Sequence, residues 1–95
     1  MEEEPLIEWD EGKRQAVLRD RKVDILEAAL IFEGPTLEAV DDRNSYGEER
    51  FKALGEVDGK YFVVIFTWRG AARRIITAWK AGRHDRKRYQ EEIAR

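Results

Sequence analysis

The most apolar stretch of the chain, "YFVVIFTW" (61–68), is apolar on both alternating sets of positions. Such a run fits a central strand covered on both faces, not the half-wet strand of an open sheet. On its N-terminal side, "RFKALGEV" (50–57) alternates, with Phe51, Ala53 and Val57 on one parity, and reads as a neighbouring strand. "DG" (58–59) joins the two as a hairpin, because both residues tolerate positive φ. On the C-terminal side "RGAA" turns the chain, and "RRIITAWK" (73–80) returns as a further strand. "TLEAV" (36–40) and the edge segment "PLIEW" (5–9), which can begin with proline because a first position needs no ladder donor, complete the strand set.

A helical period appears in three places. Asp10 is placed to cap a helix running to about Arg21, whose apolar positions are few (Ala16, Val17, Leu18), so it lies on the surface. Asp24 starts a second helix and forms a capping-box pattern with Glu27. Ile25, Ala28, Ala29 and Phe32 make one stripe there, and "EGP" (33–35) ends it. A last helix, from about Arg83 to Ala94, turns Tyr89 and Ile93 inward. "DDRNSYG" (41–47) is a polar loop. The order is β-α-α-β-β-β-β-α. It predicts an α+β fold: an antiparallel four- to five-stranded sheet packed with N-terminal helices and one C-terminal helix, in a single domain over residues 1–95.

Composition narrows the classes. Charged residues make up 40% of the chain, yet three Trp, three Tyr and four Phe argue for a folded core. The absence of cysteine excludes thiol catalysis and zinc ribbons and points to a reducing compartment. No leader or membrane-spanning pattern is present, so the expected location is the cytoplasm. One histidine, and no cysteine or EF-hand spacing, leaves no expected metal site and no cofactor. Catalytic triads and phosphate-binding glycine loops are equally unsupported.

Charge changes the picture more. The first 65 residues carry a net charge of −8 and the last 30 a net charge of +6. Arg69 and the Arg73/Arg74 pair flank a tight turn and should converge. Arg74 and Lys80 share a strand parity and are expected on one face. Arg83, Arg86 and Lys87 form a stripe on the last helix. Guanidinium groups match phosphate oxygens two at a time, and Trp79, beside Lys80, is placed to stack on an unpaired base. An ordinary solvated basic helix explains the same stripe without any ligand. Cleavage of RNA without metal needs a base for the 2′-hydroxyl, cations for the charged phosphorane and an acid for the leaving oxygen. Arg69 and Arg74 suit the middle role. His84, Lys13, Lys80, Tyr46 and Tyr89 are the proton-transfer candidates, with Lys13 and His84 foremost.

The segments "EWDEGKRQAVLRDRKVDILEAALIF" (8–32), "DDRNSYGEERFKALGEVDGK" (41–60) and "VVIFTWRGAARRIITAWKAGRHDRKRY" (63–89) together resemble the BrnT family of bacterial type II toxin–antitoxin systems. The resemblance implies a RelE-like ribonuclease fold and RNA cleavage without a required metal. It also implies a ribbon-helix-helix, DNA-binding antitoxin, with a toxin–antitoxin heterotetramer as the expected complex. Arg69, Arg74, Lys13 and His84 are then the expected catalytic residues, and Lys80, Arg83, Arg86, Lys87 and Trp79 the RNA-binding ones. The chain departs from the family pattern at Val17, Arg21, Trp79 and Asp85. The departures at Arg21 and Trp79 motivate a second reading: a catalytically degenerate homologue that serves as an antitoxin- or RNA-binding module.

Overall fold

A computed structural model describes residues 5–43 and 47–93. The strands are β1 (Ile7–Glu8), β2 (Leu37–Asp41), β3 (Arg50–Val57), β4 (Lys60–Arg69) and β5 (Ala72–Lys80). The helices are α1 (Glu11–Arg21), α2 (Ile25–Ala28, continued as a tighter 3-10 turn over Ala29–Glu33) and α3 (Arg83–Glu92). The five strands stand in the order β1-β5-β4-β3-β2. β2 to β5 form the expected antiparallel meander. The one parallel pair is β1 with β5, through Ile7 opposite Arg73 and Glu8 opposite Arg74, so the sheet is mixed at this edge.

The two tight turns follow from their residues. Asp58 (φ 48°) and Gly59 (φ 83°) give the primed hairpin between β3 and β4. Between β4 and β5 only Gly70 needs positive φ (58°), the pattern of a turn with glycine at its first central position. Asp10 caps α1 by accepting the Lys13 N–H at 2.8 Å, and Asp24 caps α2 through the Leu26 N–H at 2.9 Å. Arg14 clamps these two helices together, donating from Nε and Nη2 to the Asp24 carboxylate at 2.9 and 2.8 Å. The expected capping-box partner Glu27 instead reaches across to Lys60 at 3.3 Å.

β4 is central, and each of its faces is buried by a different layer. On one face Phe62, Val64 and Phe66 join Ala53, Ile75 and Ala78 under Val17, Ile25, Ala28 and Ile31 from α1 and α2. Gly55 lets the layers approach, since an added Cβ there would stand 2.6 Å from the Ile31 Cβ. On the other face Val63, Ile65 and Leu54 pack beneath Tyr89 of α3, supported by Trp79 and Ile93. Tyr89 is the anchor of that helix. Its ring is buried, its hydroxyl donates to the Pro35 carbonyl at 2.9 Å, and burial raises its pKa. This fixes it as a structural residue and removes it from the proton-transfer candidates. Tyr46 lies outside the described residues.

A β-bulge corrects one sequence expectation. Ile65 pairs with Thr77 and Phe66 with Ile75, so Ile76 is the extra residue on β5. An inserted residue reverses the alternation beyond it. Arg74 therefore lies opposite Thr67 on the α3 face, while Lys80 lies opposite Phe62 on the α1/α2 face. Equal parity in the sequence does not place these two cations together.

Candidate active site

The α3 helix covers only part of its face. It follows directly on β5 and packs near the end of the sheet marked by Tyr61 and Ala81. The opposite end, beside the Gly70 turn, is left open, and alternation along β4 and β5 puts Thr67, Arg69 and Arg74 there. Arg50, the first residue of β3, and Lys13, in the first turns of α1, complete the rim. Together with Asp10, Glu48, Ile75 and Ile76 they line a shallow cleft of about 340 Å³.

Each side chain reaches the cleft for a local reason. The Asp10 cap starts α1 just past the edge strand β1, which presents Lys13 toward β5. The bulge at Ile76 turns that residue to the α3 face beside Arg74 and accentuates the local twist, while the Ile75 side chain stays in the core on the opposite face. Thr67 is buried, and its hydroxyl donates to the Glu49 carbonyl at 2.7 Å, which holds the approach to β3 against β4. That bond sets Glu48 and Arg50 at the cleft margin.

The balance of charge is strongly positive. Lys13, Arg50, Arg69 and Arg74 face two carboxylates, Asp10 and Glu48. Asp10 is occupied as a helix cap. Glu48 meets Arg50 at 3.3 Å, and Arg74 meets Glu8 at a loose 3.7 Å. Lys13 and Arg69 are both exposed and form no ion pair among the described residues. A surplus of cations at a shallow opening suits a polyanion, because partial pairing leaves donors available to phosphate oxygens.

The expected site residues thus divide. Lys13, Arg69 and Arg74 come together. His84, Arg83, Arg86 and Lys87 do not join them, because they ride on α3 at the far end of β5. A nine-residue strand places its ends roughly 26 Å apart. Lys80 and Arg86 share a separate depression with Lys60. Arg88 lies by Lys52 and Glu92. Among the described residues Lys87 reaches only Glu91, at 4.0 Å. Trp79 is half-buried under the sheet face, flanked by the guanidinium groups of Arg21 and Arg43, each 5.4 Å from the ring centroid. Sequence reading missed Arg50 and Glu48 as site residues. The alternation from Arg50 onward marks a strand, but nothing local to Arg50 or Glu48 signals that β3 begins beside the β4–β5 turn.

Two further arginines lie close by and serve other ends. Arg73, next to Arg74, points to the opposite face and stacks on Phe32, Phe66 and Trp68, with its guanidinium carbon 3.7, 4.8 and 4.7 Å from their centroids. Arg43 donates from Nε and Nη2 to the buried Asp41 carboxylate at 2.7 and 3.0 Å. That guanidinium holds the Asp41 carboxyl below the usual carboxylate range, against the desolvation that would raise it.

Among the described residues no helix is long and apolar enough to cross a membrane, and no group of three or more His, Asp or Glu side chains is arranged to hold a metal. No curated protein sequence matches the chain. The solved structures include a match to the 1.1 Å crystal structure of the Brucella abortus ribonuclease toxin BrnT, with a TM-score of 0.62 and 24% identity. That alignment covers 83% of this chain and 99% of the Brucella chain, and it shows a shared fold. Residues 9–85 match the family model described as the ribonuclease toxin BrnT of type II toxin–antitoxin systems, a span holding every cation of the cleft. The chain therefore belongs to the BrnT family of type II toxin–antitoxin toxins.

Proposed function

We propose that this protein is an endoribonuclease toxin that cleaves RNA at the Lys13–Arg50–Arg69–Arg74 cleft without a metal. The observation that carries the reading is the meeting of four cations from α1, β3, β4 and β5 around one opening. Arg69 and Arg74 hold the scissile phosphate and offset the charge that builds on its oxygens as the 2′-hydroxyl attacks. Arg50 supports them from β3. Glu48 is the carboxylate at the margin available to accept the 2′-hydroxyl proton, and Lys13 is the donor for the leaving 5′-oxygen. The bond from phosphorus to the 5′-oxygen breaks as the bond to the 2′-oxygen forms, leaving a cyclic phosphate.

The metal-free character is supported by the cleft itself. Four cations surround its one carboxylate not engaged as a cap, an environment that repels a divalent ion. Arg21 and Trp79 do not line the cleft, so the family departures at those positions leave its cations in place. This favours the catalytic reading over the degenerate one.

The deciding experiment incubates the purified chain with single-stranded RNA in excess EDTA. Cleavage with 2′,3′-cyclic phosphate ends, lost in Arg69→Ala, is the expected result. Intact RNA with the wild type would refute the proposal. Family membership supplies the neutralising partner, an antitoxin. Its ribbon-helix-helix type and the heterotetramer are carried from the sequence resemblance, and light scattering on the co-expressed pair checks the assembly.

A further inference from the structure

We propose a second RNA subsite on the same face of the sheet, in which Arg21 and Arg43, held against the Trp79 ring, take the phosphate of a nucleotide lying beyond the cleaved one. The inference rests on the function proposed above.

Three elements that are distant in the chain meet at this ring. Trp79 comes from β5 and points to the α3 face, since it lies opposite Val63. Arg21 comes from the last turn of α1, on the other side of the sheet. It reaches round the stretch of β5 beyond the short β1 pairing and donates to the Ala78 carbonyl at 3.4 Å. Arg43 follows β2, at the far edge of the sheet. Both guanidinium carbons stand 5.4 Å from the indole centroid.

The arrangement has the properties of a phosphate site. Arg21 is exposed and meets no carboxylate among the described residues. Arg43 is fixed by its two bonds to buried Asp41, which aim the group and leave its side chain 54% exposed. Two cations on one ring repel each other, and an anion beside both offsets that repulsion. Stacking on the indole restricts both side chains in advance, so less rotamer freedom is lost when a ligand arrives. An unpaired base next to that phosphate has the exposed guanidinium planes to stack on.

The spacing ties the subsite to the cleft. Arg74 and Trp79 lie opposite Thr67 and Val63. Four residues of strand separate those positions, roughly 13 Å. One extended strand of RNA held at Arg74 passes Trp79 within its neighbouring nucleotides, along a face where no covering helix intervenes until Tyr89.

The test compares a dinucleotide and an octanucleotide of 2′-O-methyl RNA, which cannot be cleaved, as ligands for the wild type, Arg21→Gln, Trp79→Leu and Trp79→Phe. For the octanucleotide, Arg21→Gln should weaken binding about threefold to tenfold and flatten the salt slope by about 0.7. Trp79→Leu should weaken it at least as much, and Trp79→Phe, which keeps a ring for the arginines, should restore most of the loss. The dinucleotide should bind all four proteins alike. With cleavable octanucleotide, KM should rise in Arg21→Gln while kcat holds. Wild-type affinity and salt slope in both Arg21→Gln and Trp79→Leu would overturn the subsite and leave the cleavage cleft standing. An equal loss for dinucleotide and octanucleotide would also overturn it. A wild type that neither binds nor cleaves RNA would overturn the subsite together with the function it rests on.

Discussion

Two cationic regions of this protein look alike in the sequence and differ in space. Arg69 and Arg74 flank the last hairpin, and Arg83, Arg86, Lys87 and Arg88 follow within twenty residues. The hairpin cations meet Lys13 and Arg50 around one cleft. The helix cations spread around a cylinder, where one depression holds Arg86 and another holds Arg88. The difference is one of backing. The hairpin pair stands on a sheet whose neighbouring strand and helix bring further cations to the same spot, whereas α3 uses its one inward face for Tyr89 and leaves the rest to solvent. Local charge density therefore predicts a basic surface, and convergence of separate elements predicts a site.

That contrast can be broken or sharpened experimentally. Arg74→Ala should lower kcat for RNA cleavage by about 100-fold to 1,000-fold, the range for loss of one preorganised donor to a developing charge. A rate within threefold of wild type would take Arg74 out of the machinery. Arg50→Ala, at a position that sequence reasoning did not assign to the site, should lower the rate by at least about tenfold with an unchanged melting temperature; steady-state kinetics alongside calorimetry separates the two effects. Gly55→Ala does the reverse. The new methyl group meets Ile31 on the face away from the cleft, so denaturant titration should show a loss of about 1 to 3 kcal/mol, with cleavage per folded molecule preserved.

A smaller effect concerns acid. Asp24 and Asp41 are both held below the ordinary carboxylate range by arginine partners, Arg14 and Arg43. A depressed folded-state pKa stabilises the fold fully above the unfolded value, about 3.9, and this contribution is lost as the pH falls through the folded value. Melting temperature followed from neutral pH down to about pH 3 should drop steeply below about pH 4, and Asp41→Asn should flatten that drop. Smallest of all, Lys87→Ala and His84→Ala should change cleavage by less than about twofold, as expected for solvated surface groups. A tenfold loss from either would return the helix stripe to the site.

The sheet was readable from the chain because its signals are local. A run apolar on both parities places β4 in the centre, and Asp-Gly and Arg-Gly turns set its neighbours. Both helix caps, Asp10 and Asp24, also act where a polar residue precedes an amphipathic stretch. Even Tyr89 and Ile93 could be assigned to the core from their helical spacing. Less was readable at the edges: β1 shrank to Ile7–Glu8 and lies parallel to β5, a pairing that no adjacent turn announces.

For the site, residue types and one pair of positions were legible, and the meeting place was not. Arg69 and Arg74 converge because a two-residue turn leaves the chain no alternative. Lys13 was named for its chemistry and its place in the family pattern, and Arg50 and Glu48 were given no role at the site, because their approach depends on how α1 and β3 lie against β5 and β4. Ile76 decided the rest. One extra residue on β5 sends Arg74 and Lys80 to opposite faces, and whether a strand bulges is settled by its pairing partner and not by its own alternation. The sequence alone determined the elements, their order and the surplus of cations, since those follow from local periodicity and composition. Only the tertiary structure decided which of the cations share a surface, since that depends on register, bulge and the end of the sheet that α3 leaves uncovered.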